Sequence, residues 1–103
     1  MKSFNPKFTQ GSLFVCSKCG QSMEAPDQAE KLKTELRAEL KQIEAQTKIR
    51  VMVGSCLGVC NPNEQTFAYY PNSGSIEIYT TPGDYSSARQ EISDFLKNKV
   101  KST

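Results

Sequence analysis

The chain has 103 residues, 37% of them hydrophobic and 23% charged, with 13 basic and 11 acidic side chains giving a formal net charge of +2. That length suits one domain able to bury roughly 65% of its unfolded surface, and charge spread so evenly excludes the electrostatic footprint of a nucleic-acid binder. No run approaches the ~18 apolar residues of a membrane span, and the first residues lack the apolar core of a secretory signal, so the chain is expected in the cytoplasm with no membrane partner.

Residues 1–11 have no clear period and read as an N-terminal arm carrying Phe4 and Phe8. Ser12-Leu13-Phe14-Val15-Cys16 is a short apolar run, consistent with a strand buried on both faces, and it ends at Gly20. From Asp27 the apolar residues Ala29, Leu32, Leu36, Leu40 and Ile43 recur at three- and four-residue steps, which predicts an amphipathic helix to about Gln46. Asp27 and Glu30 have the spacing of a capping box at its start.

Ile49 to Gly54 alternates Ile, Val and Val on one side and reads as a second strand, joined to the first by a helical crossover and therefore parallel to it. Gly, Asn and Pro between Cys56 and Asn63 mark an irregular loop. Residues 67–70 and 75–79 flank Pro71-Asn72-Ser73-Gly74 and predict an antiparallel hairpin. Tyr85, Ala88, Ile92, Phe95 and Leu96 then return to helical spacing, with Asp84 as N-cap. The predicted order is β-α-β-loop-β-β-α in an α/β domain over residues 12–100 with a mixed four-stranded sheet, leaving 101–103 as a tail.

The chain contains four cysteines and no histidine. In a reducing compartment, cysteines grouped this way are more often metal ligands or redox thiols than structural disulfides. The missing histidine removes Ser-His and Cys-His nucleophile pairs and mixed Cys/His zinc sites, which leaves an all-thiolate site. Cys16 and Cys19 follow the first strand; Cys56 and Cys60 follow the second. Parallel neighbours bring their C-terminal ends together, so the two pairs are expected to surround one point beyond the sheet edge, where ligands of open α/β sheets commonly lie. Iron-sulfur and zinc both suit four converging thiolates.

The run Phe14-Val15-Cys16, the leucine-rich helix, Val51-Met52-Val53-Gly54-Ser55-Cys56-Leu57-Gly58-Val59-Cys60 and the later Tyr-Pro and Pro-Gly-Asp-Tyr segments together resemble the thioredoxin-like 2Fe-2S ferredoxins, over about residues 12–100. The resemblance implies a thioredoxin-like fold, one 2Fe-2S cluster with Cys16 and Cys19 on one iron and Cys56 and Cys60 on the other, and single-electron transfer to a redox partner protein that would itself be the catalyst. Two features depart from the family pattern. Its second ligand usually follows the first by about ten residues, where Cys19 follows Cys16 by three, and its usual Gly-Pro after the last cysteine is here Asn61-Pro62. The compact Cys-x-x-Cys form is also similar to a set of small predicted metal-binding proteins with a Cys-Leu-Gly-x-Cys loop.

Two other readings follow from the same cysteines. A tetrathiolate zinc module is suggested by Cys16-Ser17-Lys18-Cys19-Gly20, which resembles a zinc knuckle. A dithiol oxidoreductase is suggested by Cys-x-x-Cys near a βαβ unit, but the helix predicted from Asp27 starts too far along to activate Cys19 through its dipole. Tyr69, Tyr70, Tyr79 and Tyr85 are expected as core or cross-strand partners, and Lys97, Lys99 and Lys101 as a solvated helix end. Lys18 places a cation between two candidate ligands, where it would favour a reduced cluster. With the cluster loop where a covering helix would normally follow the second strand, one sheet face including Met52 is left open, and a homodimer could cover it.

Overall fold

The computed structural model describes residues 1–4, 7–17, 27–54 and 63–101. Their order is β1 (Gly11–Cys16), α1 (Gln28–Gln42), β2 (Ile49–Gly54), β3 (Glu64–Pro71), β4 (Glu77–Pro82) and α2 (Tyr85–Lys101). The four strands form one mixed sheet in the order β2-β1-β3-β4. β1 and β2 are parallel, with Gly11 opposite Ile49 and Cys16 opposite Gly54. β3 runs antiparallel to β1 on its other side, and β4 antiparallel to β3. No helix among the described residues is long and apolar enough to cross a membrane.

Period-two alternation in the strands and the i, i+3, i+4 stripe of each helix meet in one core. Leu13 and Val15, Ile49 and Val51, and Phe67 and Tyr69 face Leu32, Leu36 and Leu40 of α1 and Ala88, Ile92 and Leu96 of α2. Both helices therefore cover the same side of the sheet. On that side Leu13 and Val15 of β1 are fully buried; on its other side Cys16 is buried but Ser12 and Phe14 are half-buried, in contrast to the full two-sided burial its apolar run predicts. On this second face Phe14 meets Tyr70 edge to face at 5.1 Å, and Ile78 and Tyr70 are exposed.

Phe95 of α2 gathers the aromatics of the hairpin, with Phe67, Tyr69 and Tyr79 at centroid distances of 5.3, 5.6 and 5.2 Å. Lys99 lies 5.1 Å from the Tyr69 ring centroid and 3.1 Å from the Glu77 carboxylate. Between the helices, Glu39 accepts a hydrogen bond from the Ser93 hydroxyl at 2.6 Å and pairs with Arg89 and Lys97. The lysines expected as a free helix end are thus partly spent on α1 and β4. Gly11 sits where β1 meets the end of β3: a Cβ there would lie 2.5 Å from the Tyr70 carbonyl oxygen, so only glycine fits.

Helix ends depart from the expected boundaries for local reasons. α1 stops at Gln42 rather than Gln46, because Glu44 adopts φ 57° and the N–H groups of Ala45 and Glu44 return to the carbonyls of Leu40 and Lys41. This is a Schellman closure with glutamate in the left-handed position that glycine usually fills. Ile43, read as part of the buried stripe, is consequently exposed. The capping box at Asp27 does not form: its φ of −98° and ψ of 17° are not the extended backbone an N-cap needs, and no side-chain cap bond is made. Asp27 instead pairs with Lys31 at 3.7 Å and Glu30 with Lys33 at 2.9 Å. Asp84 does cap α2, accepting the Ser87 N–H at 3.0 Å.

Two measurements follow. Glu44→Gly relieves the left-handed strain and is expected to raise unfolding free energy by roughly 0.5–1 kcal/mol in urea titration, net of glycine's own entropy cost; an unchanged or lower midpoint would contradict the closure. Hydrogen bonds from Tyr79 and then Lys99 hold the Glu77 carboxyl below its ordinary value of 4.5, while burial, followed by the charge of Glu77, raises the Tyr69 phenol above 10.0. Glu77 therefore contributes stability that is present above about pH 4.5 and lost as pH falls through its depressed value. The Tyr69 contribution is present below pH 10.0 and lost as pH rises toward its folded value. Midpoints measured across pH should fall on both sides; Glu77→Gln should flatten the acid limb and, by removing the charge that adds to the Tyr69 shift, weaken the alkaline limb in part.

Candidate metal centre

Cys16 is the last residue of β1, the strand that lies between β2 and β3. On one side it is level with Gly54, the last residue of β2; on the other, its neighbour Val15 is level with Phe67 of β3. β3 enters the sheet at Glu64, just after Asn63, whose φ of 61° turns the chain. Asparagine tolerates that left-handed conformation better than most residues. The chain between Gly54 and Asn63 therefore joins the strands on either side of Cys16. With neighbouring strands ~4.8 Å apart, these two anchors stand on the order of 10 Å apart across the end of β1.

Of the four candidate ligands, Cys16 is described; Cys19, Cys56 and Cys60 lie outside the described residues, as does Lys18. Cys16 carries a free thiol and is only 1% exposed. Strand alternation puts it on the side of Phe14, and it is not a member of the connected apolar core under the helices. Among the described residues no three His, Cys, Asp or Glu side chains gather as a metal site. Ser17, directly after Cys16, is helical.

A buried polar network that the sequence reading missed holds the backbone of this corner. Gln65, at the start of β3, donates from Nε2 to the Cys16 carbonyl and to the Thr66 carbonyl, both at 3.0 Å. Gln28, at the start of α1, donates from Nε2 to Gln65 Oε1 and to the Gly83 carbonyl, again at 3.0 Å. Both glutamines are buried, so each amide hydrogen bond replaces one that water would otherwise make. The chain tie runs from the end of β1 through β3 to the first turn of α1 and the β4–α2 junction. A signal for Gln65 exists in the sequence: it shares the inward parity of Phe67 and Tyr69, where a polar side chain needs an internal partner.

The tyrosines divide as packing groups. Tyr69 is in the core and Tyr85 packs against it, whereas Tyr70 and Tyr79 are partly exposed members of ring pairs.

Gln65→Leu leaves the Gln28 amide and the Cys16 carbonyl without their buried partner and is expected to cost about 2–3 kcal/mol in chemical unfolding. Replacing Gln28 and Gln65 together by leucine should cost less than the sum of the two single changes, since the pair shares one bond. Strict additivity would show that the glutamines act separately.

No family model, curated protein or solved structure matches the chain.

Proposed function

We propose that Cys16, Cys19, Cys56 and Cys60 hold one 2Fe-2S cluster on a thioredoxin-like domain and that the protein carries single electrons to a partner enzyme. The observation that carries this reading is the position of Cys16 at the end of the middle strand, flanked by the anchors of the segment that contains Cys56 and Cys60. Cys56 is the second residue after Gly54, and each Cα–Cα step spans at most ~3.8 Å, so the covalent chain keeps it near the strand end level with Cys16. Cys19 is tethered to Cys16 itself by two residues. The thioredoxin-like reading is supported by a parallel β-α-β unit followed by an antiparallel β-β-α unit in the order β2-β1-β3-β4.

The donor set fits such a cluster: four thiols and no imidazole in the chain. When bound, it supplies a one-electron couple whose potential is set by hydrogen bonds, net charge and exposure. The chain's own contribution is positional. Gln65 fixes the Cys16 carbonyl and hence the backbone from which the first ligand projects, and burial of Cys16 keeps water from its sulfur.

The helical Ser17 favours a second reading, in which Cys16-x-x-Cys19 is a redox dithiol. Burial of Cys16 opposes it, because an attacking thiolate must reach its substrate. A metal ligand has no such requirement.

Protein purified without oxygen is expected to contain about two iron and two acid-labile sulfide per chain, with visible absorption that bleaches on reduction. Zinc without sulfide would replace electron transfer with a structural tetrathiolate module, and metal-free protein with a reversible Cys16–Cys19 disulfide would favour the dithiol. Each of Cys16→Ser, Cys19→Ser, Cys56→Ser and Cys60→Ser should abolish or greatly weaken the absorption. An unchanged spectrum for Cys19→Ser would remove that residue from the ligand set.

A further inference from the structure

At the outer edge of β2 a groove of about 640 Å³ runs between the arm, α1 and the strand, lined among the described residues by Lys7, Phe8, Arg37, Lys41 and Arg50 and by no carboxylate. That volume lies within the range of small-molecule sites. Its walls are fixed. The arm is tied down by Thr9 and Gln10 N–H bonds to the carbonyls of Thr47 and Lys48, and Asn72 donates to the Phe8 carbonyl at 2.7 Å.

Two guanidinium groups converge there on a single neutral sulfur. Arg37 donates from Nε to the Val51 carbonyl at 2.9 Å and from Nη2 to Met52 Sδ at 3.3 Å. Arg50 donates from Nε to the same sulfur at 3.0 Å, and its guanidinium carbon lies 5.8 Å from the centroid of the Phe8 ring. Among the described residues neither arginine has a carboxylate within ion-pair distance, nor do Lys7 and Lys41. The six ion pairs among the described residues use other cations, so no described carboxylate neutralises the four at this edge. Like charges held side by side repel, and a multiply charged anion between them turns that repulsion into attraction. Both guanidiniums are held in place by their Nε bonds and keep further N–H donors, which suits the fork geometry that phosphate oxygens accept. One carboxylate would leave most of this charge unmatched.

We propose that this groove binds a small molecule bearing a phosphate or pyrophosphate group, with Arg37 and Arg50 as the fork and Lys7 and Lys41 at the rim. The site is separate from the cysteine corner and does not depend on which cofactor, if any, the cysteines hold.

The probe is inorganic pyrophosphate, titrated calorimetrically into the full-length chain at low ionic strength. Saturable binding is expected, weakened on the order of tenfold by Arg50→Gln or Arg37→Gln and less by Lys7→Gln or Lys41→Gln. Arg37→Gln also removes a strand contact, so the two lysine variants, whose unfolding midpoints should stay at the wild-type value, keep the test independent of folding. Lys97→Gln, on α2, should bind as the wild type does. Absence of saturable binding, or equal weakening in Lys97→Gln and Lys41→Gln, would overturn the proposal. Adenosine diphosphate identifies the source: tighter binding than pyrophosphate that is lost in Phe8→Ala supports a nucleotide-like ligand, and equal binding supports the inorganic anion.

Discussion

The arrangement of this protein depends on β1 being the inner strand of three, with a parallel neighbour on one side and an antiparallel neighbour on the other. A parallel neighbour ends where β1 ends, and an antiparallel neighbour begins there. The corner beyond Cys16 is therefore where one chain segment leaves the sheet, a second leaves beside it, and the second must pass to the far side to continue as β3. The proposed metal centre rests on this connectivity, since Cys16 ends one parallel strand and Cys56 follows the other by two residues in sequence.

That corner also needs a rigid floor, and the fold supplies it with uncharged groups. The Gln28–Gln65 pair links four parts of the chain through buried amide bonds without burying a charge, which would cost far more unless it were paired. Packing both helices on one face concentrates the apolar core there and leaves Cys16 on the other side, next to Phe14 rather than beneath α1. The core and the candidate ligand are thus neighbours along one strand but belong to different environments.

Strong periodic signals carried over well from sequence to structure. The leucine stripe of α1, the alternation of β2 and the N-cap at Asp84 have the positions and roles their patterns imply. Features decided by tertiary context did not. Glu44 is not a residue whose side chain favours a left-handed closure, so nothing local marks the end of α1 two residues earlier. Asp27 and Asp84 look alike as caps, and only the backbone angles separate them. β3 begins at Glu64 and includes Gln65 and Thr66, polar residues whose burial follows from pairing with β1 and β4 rather than from hydropathy. Charge behaved similarly: the clustered lysines of α2 are partly paired, whereas Arg37 and Arg50, thirteen positions apart in sequence, meet only because α1 packs along β2. For the candidate centre, motif spacing and strand connectivity were legible; the positions of Cys19, Cys56 and Cys60 fall outside the described residues.

The claim on which this account turns is that a single corner of the sheet gathers all four sulfurs. X-ray absorption at the edge of the metal that co-purifies with the protein reads that directly. Four sulfur neighbours per metal with a second iron in the next shell is the predicted result. Nitrogen or oxygen neighbours in place of sulfur, or two sulfurs on each of two isolated metals, would contradict the gathering of the four cysteines and with it the electron-carrier reading.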